Sequence, residues 1–382
     1  MMKVLSVVGA RPQFIKAAPV SGALRKEHDE VLVHTGQHYD YLMSAVFFDE
    51  LAIPEPDHNL GVGSASHGRQ TGEMLIRIEE VLLKERPDWM LVYGDTNSTL
   101  AGALAAAKLH IPVAHVEGGL RSFNREMPED VNRVLTDHVS DLLFCPTETA
   151  VRNLAREGIT EGVHNVGDVM YDAVLHNIGI AEQRSRILER LGIGPKAYLL
   201  ATVHRPQNTD RADNLRSILS AFNALDEVIV FPAHPRTSEA IGRLSYPLRS
   251  HVKLIEPVSY LDMLVLEKNA RLILTDSRGV QPVLDGRPGK EAYFFGVPCV
   301  TLREETEWVE TVEAGWNVLV GADEEGIVEA VRGFQPVGKR AAIFGNGRAS
   351  ETIAKLLPCQ GSGEQTSACP GHAKSVSSNP LY

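Results

Sequence analysis

The chain alternates short, continuous runs of apolar and β-branched residues with longer amphipathic stretches, and it does so in two successive series. The runs of the first series are 4–8, 31–34, 89–93, 113–116 and 142–145, and those of the second are 198–202, 228–231, 252–255, 272–274, 299–302 and 318–320. Strands that are apolar along their whole length are typical of parallel sheets covered by helices on both faces. The pattern therefore predicts an α/β chain with two doubly wound parallel sheets.

The length of the chain agrees with two such sheets. At roughly 150 residues per domain, a chain of 382 residues has room for two domains and a short extension. We place the junction at residues 167 and 168, so that the first domain spans residues 1–168 and the second spans 169–358. Residues 359–382 are rich in Ser, Gly, Pro and Gln without any period, which predicts a disordered tail.

Charge and cysteine usage restrict the class of protein. The net charge of −11 and the lack of a long basic run argue against a general nucleic-acid binder. No run of about 18 apolar residues occurs, so we expect no membrane span, and the apolar start is too short for a secretion signal. The four cysteines share no metal-ligand spacing. We therefore expect a cytoplasmic protein with free thiols and no metal site.

Polar residues with possible chemical roles follow the predicted strands of the first series. A glycine turn at residues 9–10 opens a helix beside Arg11 and Lys16, an arrangement that suits a phosphate. Asp95 follows the next long run and is equally explained as a helix cap. Glu117 comes directly after a buried strand, where an unpaired carboxylate costs several kcal/mol. Glu129 lies in the first turn of a predicted helix, as ordinary capping residues do.

The second series carries cationic and hydroxyl side chains at the same positions. His204 and Arg205 follow its first strand, and His234 and Arg236 follow its second. A later turn contains Ser277, which together with glycine and a helix start could hold a diphosphate. Ligands of open α/β sheets bind beyond the carboxyl ends of the strands, so the cleft between two such domains is the expected site. No dinucleotide-binding glycine pattern follows the first strand, which leaves NAD binding unsupported.

These motifs together resemble the non-hydrolysing UDP-N-acetylglucosamine 2-epimerases. The matching stretches, in the family's order from residue 2 to about 357, are 9–16, 94–96, 115–121, 128–133, 204–205, 234–236, 275–277 and 305–308. The resemblance implies a GT-B fold, in which two Rossmann-like domains enclose the active site and the last helix crosses back to the first domain. It implies interconversion of UDP-GlcNAc and UDP-ManNAc without a cofactor, a homodimer, and a role in supplying polysaccharide precursors.

The resemblance also implies roles for individual residues. The implied catalytic residues are Asp95, Glu117, Glu129 and His204. The implied contacts to UDP are Arg11, Lys16, Arg133, His234, Arg236, Ser277, Arg278, Gly279 and Glu291, of which Glu291 binds the ribose hydroxyls. Many members bind a second UDP-GlcNAc as an activator, and Gln37, Arg69 and Gln70 lie in the corresponding region.

The sequence departs from the family pattern in one segment. Arg278 replaces a glycine, and eight extra residues, 282–289, separate Gln281 from Lys290. Two prolines and two glycines in this insertion cannot simply lengthen a helix. Either the insertion forms a surface loop and the helix restarts near Lys290, so that Glu291 still reaches ribose, or the helix start is displaced and affinity for UDP is lost.

Three other functions remain open from the sequence. The stretches around Phe14 and Phe123 are closest to a branch that includes 2-epimerases of UDP-2,3-diacetamido-2,3-dideoxyglucuronate. A GT-B glycosyltransferase would need an acceptor, and three carboxylates in the first domain fit it less well. A UDP-sugar-binding protein without activity is suggested only by the insertion, and the same carboxylates argue against it because an anionic ligand needs cations.

Overall fold

The structure is a computed structural model that describes residues 1–37, 54–277, 288–306, 308–336, 338 and 340–357. For Arg11, Pro288 and Gly289 only the backbone is described. The predicted tail and most of the 282–289 insertion therefore lie outside the described residues.

The first series of apolar runs forms a parallel sheet of seven strands. Its strands are β1 (Lys3–Val8), β2 (Asp29–His34), β3 (His58–Asn59), β4 (Trp89–Tyr93), β5 (Val113–Val116), β6 (Leu142–Cys145) and β7 (Val163–Asn165). They lie in the order β3-β2-β1-β4-β5-β6-β7. Central strand β1 pairs with β2 and β4, and Val7 aligns with Val33 on one side and Val92 on the other. The order reverses between β1 and β4, and such a switch point is where open α/β sheets bind ligands.

The second series forms a parallel sheet of six strands. Its strands are β8 (Leu199–Thr202), β9 (Ile229–Pro232), β10 (Val252–Ile255), β11 (Leu272–Thr275), β12 (Cys299–Thr301) and β13 (Asn317–Leu319). Their order, β10-β9-β8-β11-β12-β13, repeats that of the first sheet, with the switch point between β8 and β11. Two Rossmann-like sheets in one chain confirm the α/β prediction and give a GT-B-like fold.

Helices connect the strands of both sheets. In the first half they are Arg11–Glu27, His67–Glu85, Asn97–Lys108, Pro128–Val139, Glu148–Arg156 and Val169–Arg184. In the second half they are Ile187–Leu191, Pro206–Thr209, Ala212–Ala224, Pro235–Leu244, Tyr260–Asn269, Pro288–Phe295, Val309–Glu313, Glu324–Gly333 and Ala349–Leu356. None of these helices is long and apolar enough to cross a membrane.

Helices from both halves pack together at the predicted junction. Helix Val169–Arg184 begins after its N-cap Asp168 and contacts helix Arg11–Glu27 and helix Tyr260–Asn269. The last described helix, Ala349–Leu356, also packs on helix Arg11–Glu27. There Nε2 of His28 lies 2.9 Å from the carbonyl oxygen of Ala354. The end of the described chain is thus held against the first sheet's helical layer.

Two cysteines lie within the described residues, and both are free thiols in the core. Cys145 and Cys299 are buried. Burial raises the pKa of each thiol to about 12, so both are protonated and unreactive at neutral pH.

Candidate active site

The carboxyl ends of four neighbouring strands bring the first set of predicted residues to one edge of the sheet. Strands β2, β1, β4 and β5 are adjacent, and their ends lead into Thr35, Gly9, Gly94 and Glu117. A Cβ on Gly9 would overlap the hydroxyls of Thr35 and Ser98, so only glycine fits where these loops meet.

The buried side chain of Gln13 fixes the turn after β1. Its Oε1 accepts from the backbone N–H groups of Gly9 (2.8 Å) and Ala10 (3.0 Å). Its Nε2 donates to the carbonyl oxygen of Tyr93 (2.7 Å) and to the hydroxyl of Thr99 (3.0 Å). The sequence interpretation did not assign Gln13 a role, although a Gln at the third position of a helix is a known capping signal.

Glu117 pairs with Lys16 below the surface of the first domain. The Lys16 ammonium contacts Oε2 of Glu117, and their side chains are only 4% and 7% exposed. Glu117 has a backbone φ of +73°, a left-handed conformation that costs a non-glycine residue of order 1 kcal/mol. The backbone of Gly94 borders the pair, since a Cβ there would lie 3.1 Å from Nζ of Lys16 and 3.2 Å from Oε2 of Glu117. A strained, buried, paired carboxylate beside a glycine turn is typical of a functional site.

Asp95 pairs with Arg133 immediately beside this site. The guanidinium of Arg133, on helix Pro128–Val139, contacts Oδ2 of Asp95, and both residues are buried. The neighbouring Asn132 donates to the carbonyl oxygen of Asp95 at 2.9 Å. Glu129 lies in the first turn of the same helix and is half-buried. Asp95 and Glu117 thus follow the adjacent strands β4 and β5, and helix Pro128–Val139 carries Glu129 and the Arg133 that pairs with Asp95. Lys16 joins them from helix Arg11–Glu27. The side chain of Arg11 lies outside the described residues.

Two of the three predicted activator residues contact the start of helix Asn97–Lys108. Oε1 of Gln37 accepts from the hydroxyl of Ser98 at 2.7 Å. Oε1 of Gln70 accepts from Nδ2 of Asn97 at 2.8 Å. Arg69 is exposed on the surface. Gln37 and Gln70 thus border the turn that carries Asp95, whereas Arg69 points away from the core.

Asp276 holds His204 at the switch point of the second sheet. The buried carboxylate of Asp276 accepts from the backbone N–H groups of His204 (3.0 Å) and Arg205 (3.0 Å) and from Nδ2 of Asn208 (3.0 Å). Nδ1 of His204 lies 3.5 Å from Oδ1 of Asp276. Burial lowers the pKa of His204. The charge of Asp276 raises it, but the charges of Arg205 and His234 lower it, and the pKa ends below its ordinary value. His204 is therefore neutral at pH 7. Its partner Asp276 was missed as a site residue from the sequence.

His234 and Arg236 have local structural partners. His234 caps helix Pro235–Leu244, its Nδ1 accepting from the backbone N–H of Arg236 at 3.2 Å. Burial and the neighbouring Arg236 charge lower the pKa of His234. The exposed guanidinium of Arg236 donates to both carboxylate oxygens of Asp210, at 2.8 and 2.6 Å. Arg236 would have to leave this surface ion pair to contact a nucleotide.

The turn after β11 is described only as far as Ser277. The backbone N–H of Ser277 donates to the hydroxyl of Thr275 at 3.0 Å, and Thr275 in turn contacts the hydroxyl of Thr202 at 2.8 Å. Arg278 and Gly279, both predicted to contact UDP, lie outside the described residues.

The helix after the insertion begins at Pro288 and buries the two residues that follow the inserted segment. Lys290 has a side-chain exposure of 0%, lies 2.5 Å from the Asp168 carboxylate and sits 4.1 Å from the centre of the Trp308 ring. Glu291 is also fully buried and lies near the buried acid Glu267. Burial and the neighbouring Glu291 carboxyl raise the pKa of Glu267 well above its ordinary value. In this structure the Glu291 side chain faces another acid in the core, and its contact with ribose stays a prediction.

Within the residues that the structure describes, no group of three or more His, Cys, Asp or Glu is arranged to hold a metal ion. The candidate residues instead form two groups. Paired carboxylates and cations lie at the carboxyl edge of the first sheet, and a neutral histidine lies at the carboxyl edge of the second sheet. Such a set can accept and donate protons and can hold an anionic leaving group.

Comparison with known proteins places this geometry in a family. A family model described as UDP-N-acetylglucosamine 2-epimerase matches residues 23–358. The chain is 56% identical over 362 residues to a UDP-N-acetylglucosamine 2-epimerase homolog of Methanococcus maripaludis, covering 93% of this chain and 99% of that protein. It is 49% identical over 369 residues to the UDP-2,3-diacetamido-2,3-dideoxy-D-glucuronate 2-epimerase of Pseudomonas aeruginosa, covering 93% and 99%.

A solved structure supports the same assignment. The UDP-GlcNAc 2-epimerase of Methanocaldococcus jannaschii, crystallised in complex with UDP-GlcNAc and UDP, superposes with a TM-score of 0.79 at 46% identity. The alignment covers 93% of this chain and 99% of that one. Sequence and fold thus agree over nearly the whole described chain, which belongs to the UDP-N-acetylglucosamine 2-epimerase family.

Proposed function

We propose that this protein is a non-hydrolysing UDP-GlcNAc 2-epimerase, an isomerase that interconverts UDP-GlcNAc and UDP-ManNAc. The observation that carries the proposal is the buried Lys16–Glu117 pair beside the Asp95–Arg133 pair at one sheet edge. Membership of the family and the similarity to an epimerase solved with UDP-GlcNAc and UDP support the same substrate.

The proposed reaction is an elimination followed by a re-addition. A base removes the proton from C2 while the bond from C1 to the UDP oxygen breaks, which yields 2-acetamidoglucal and UDP. UDP then adds back to C1 as an acid delivers a proton to the opposite face of C2. No electrons are gained or lost overall, so the reaction needs proton carriers and a group that holds UDP.

Carboxylates of the first domain supply the proton chemistry. We propose Asp95, Glu117 and Glu129 as the acid and base groups, without assigning a proton to each. The ammonium of Lys16 keeps Glu117 in its charged form, as a cation close to a carboxylate does. A carboxylate held ionised is ready to accept a proton or to stabilise positive charge growing at C1.

Cations, the positive end of a helix and a neutral histidine hold the diphosphate in this proposal. Lys16 and Arg133 already lie at the site, and helix Arg11–Glu27 begins at the same sheet edge, where its dipole favours an anion. We assign His204 as a catalytic partner near the diphosphate, where its neutral ring can donate to the departing oxygen. Further contacts to UDP are proposed for Arg11, His234, Arg236, Ser277, Arg278 and Gly279, and for Glu291 only after helix Pro288–Phe295 rearranges.

Other features of the protein follow from the same proposal. We propose that residues 1–168 form the domain with the acid and base groups and that 169–358 form the UDP-binding domain. We also propose a cytoplasmic homodimer that needs no cofactor, feeds polysaccharide synthesis, and can bind a second UDP-GlcNAc near Gln37, Arg69 and Gln70.

The sugar itself is the point on which the relatives differ. One relative acts on UDP-2,3-diacetamido-2,3-dideoxyglucuronate, at an identity close to that of the crystallised UDP-GlcNAc enzyme. We therefore propose to incubate the protein separately with each nucleotide sugar and to resolve the products by ion-pair chromatography. A mixture of UDP-GlcNAc and UDP-ManNAc formed from either one supports the proposal. Conversion of the diacetamido sugar alone would overturn the substrate assignment, and release of free sugar would overturn the non-hydrolysing assignment.

A further inference from the structure

His115 lies in the middle of β5, two residues before Glu117, and is completely buried. Both of its ring nitrogens are engaged. Nδ1 lies 2.7 Å from Oδ1 of Asp137, and Nε2 lies 2.7 Å from the carbonyl oxygen of Gly94. The ring therefore joins the strand that leads to Glu117 with the turn that leads to Asp95.

The two ring contacts reach two different parts of the site. A backbone carbonyl can only accept, so Nε2 of His115 donates to Gly94. Nδ1 faces the carboxylate of Asp137. Burial raises the pKa of Asp137, but hydrogen bonding from His115 and the nearby Arg121 guanidinium lower it below its ordinary value. The ring therefore bridges the Gly94 turn and Asp137.

The second oxygen of Asp137 holds the other side of Glu117. Oδ2 accepts from the backbone N–H of Gly119 at 3.1 Å and from Nη1 of Arg121 at 2.6 Å. Arg121 also makes a two-point contact with Glu157, at 2.8 and 2.7 Å. Glu117, the residue with positive φ, therefore lies between His115 and Gly119, which both bond to Asp137. The hydrogen-bonded cluster consists of His115, Asp137, Arg121 and Glu157.

This cluster sets the distance between Asp95 and Glu117, which are two of the three proposed acid and base groups. The carbonyl of Gly94 immediately precedes Asp95, and a Cβ on Gly94 would lie within 3.2 Å of both members of the Lys16–Glu117 pair. Removing the ring would therefore release both the Gly94 turn and Asp137.

We propose that His115 is a positioning residue for epimerisation: its buried ring, bonded at both nitrogens, holds the Asp95 turn and the Glu117 turn in one fixed relative geometry. The role rests on the proposed function, since it acts through Asp95 and Glu117 and not on the substrate itself. Displacing a reacting group by about 1 Å costs about 10²-fold in rate, so the effect falls on turnover.

The first test reads the ring contact without any turnover. Protein labelled with ¹⁵N-histidine is studied at pH 7 by long-range ¹H–¹⁵N correlation, and His115 is assigned by its loss in the H115Q variant. We expect Nε2 to carry a proton that exchanges slowly with solvent, as its bond to the Gly94 carbonyl requires. An Nε2 without a proton in the wild-type protein would overturn the proposal, whatever the enzyme's activity.

The second test separates positioning from general destabilisation. In H115Q we expect kcat for UDP-GlcNAc to fall by about 10²-fold while KM and the affinity for UDP change by less than about 3-fold. H28Q is the matched control, because His28 is also buried with one ring nitrogen at a backbone carbonyl but lies at the far helix Ala349–Leu356. It should keep wild-type kcat.

Each remaining outcome has a definite meaning. A folded H115Q variant with wild-type kcat would overturn the positioning role. Should H115Q fail to fold, D137N and the wild-type spectrum carry the test, and D137N must lose turnover while it still binds UDP. A wild-type protein that shows the Nε2–H signal but no epimerisation would refute the proposed function instead.

Discussion

The carboxylate of Glu117 meets the ammonium of Lys16 in a place where both side chains are almost completely buried. The two residues are 101 positions apart in the chain. The pair forms because β1 and β5 flank β4 and end at the same edge of the sheet. A buried pair of this kind is costly to break from one side, since the remaining charge loses its partner.

Removing the negative charge of this pair tests its chemical role. We expect E117Q to reduce turnover by at least about 10²-fold, because the amide cannot accept a proton, while affinity for UDP is largely kept. Steady-state kinetics and calorimetric titration with UDP measure the two effects. E161Q, at an exposed glutamate outside the site, serves as the control. Near-normal turnover by a folded E117Q variant would refute the assignment of Glu117.

The pH profile tests the state of His204. Because burial and the Arg205 charge place its pKa below the ordinary 6.5, the ring remains neutral until the solution is more acidic than that. We expect kcat/KM to fall on the acid side only below pH 6.5, and this limb to vanish in H204Q, whose rate should drop by about 10²- to 10⁴-fold. H251Q, at a histidine bonded to the carbonyl of Phe222, is the control. An acid limb unchanged in H204Q would show that another group titrates.

Thermal stability tests the buried Glu267–Glu291 pair. The folded state raises the pKa of Glu267 above the ordinary 4.5, so folding binds a proton and stability is lost as pH rises above that value. E267Q cannot titrate and its amide can donate to Glu291. We expect Tm of E267Q to exceed that of the wild type at pH 8 by about 2–4 °C, with little difference at pH 5.

The control for this comparison is E329Q, at an exposed glutamate on helix Glu324–Gly333. Its Tm should follow that of the wild type at both pH values. A shift in E267Q of equal size at pH 5 and pH 8 would mean that packing, and not a proton, is responsible.

Deleting residues 282–289 tests the insertion. The deletion restores the spacing between Gln281 and Lys290 that the family pattern has, so we expect activity to be kept or raised. The test measures initial rates with UDP-GlcNAc and the Kd for UDP. Both are compared between the deletion variant and the full chain. A loss of both activity and UDP affinity in a folded deletion variant would show that the insertion contributes to the nucleotide site.

The sequence predicted the two sheets well because their strands are continuous apolar runs. It missed β3 and β7, whose two or three residues include His58, Asn59 and Asn165 and carry no apolar period. Short edge strands of this kind form because a neighbouring strand offers free backbone groups, and that information is not local.

The candidate site could be predicted to the extent that it depends on strand ends. Asp95, Glu117 and His204 could be chosen as candidates because ligands bind beyond the carboxyl ends of parallel strands, and their roles stay predictions. Gln13 and Asp276 were not, because their partners are backbone groups of other segments. The burial of Glu291 against Glu267 could not be foreseen either, since it depends on how two helices from distant parts of the chain pack.

The most direct test of the central claim is proton NMR of the purified protein with UDP-GlcNAc in D₂O. We predict that the C2 proton is replaced by deuterium and that UDP-ManNAc signals appear, because the acid that protonates the opposite face of C2 carries a deuteron taken from the solvent. Persistence of the C2 proton in both UDP-GlcNAc and the diacetamido-uronate sugar, with folded protein that binds UDP, would contradict the account.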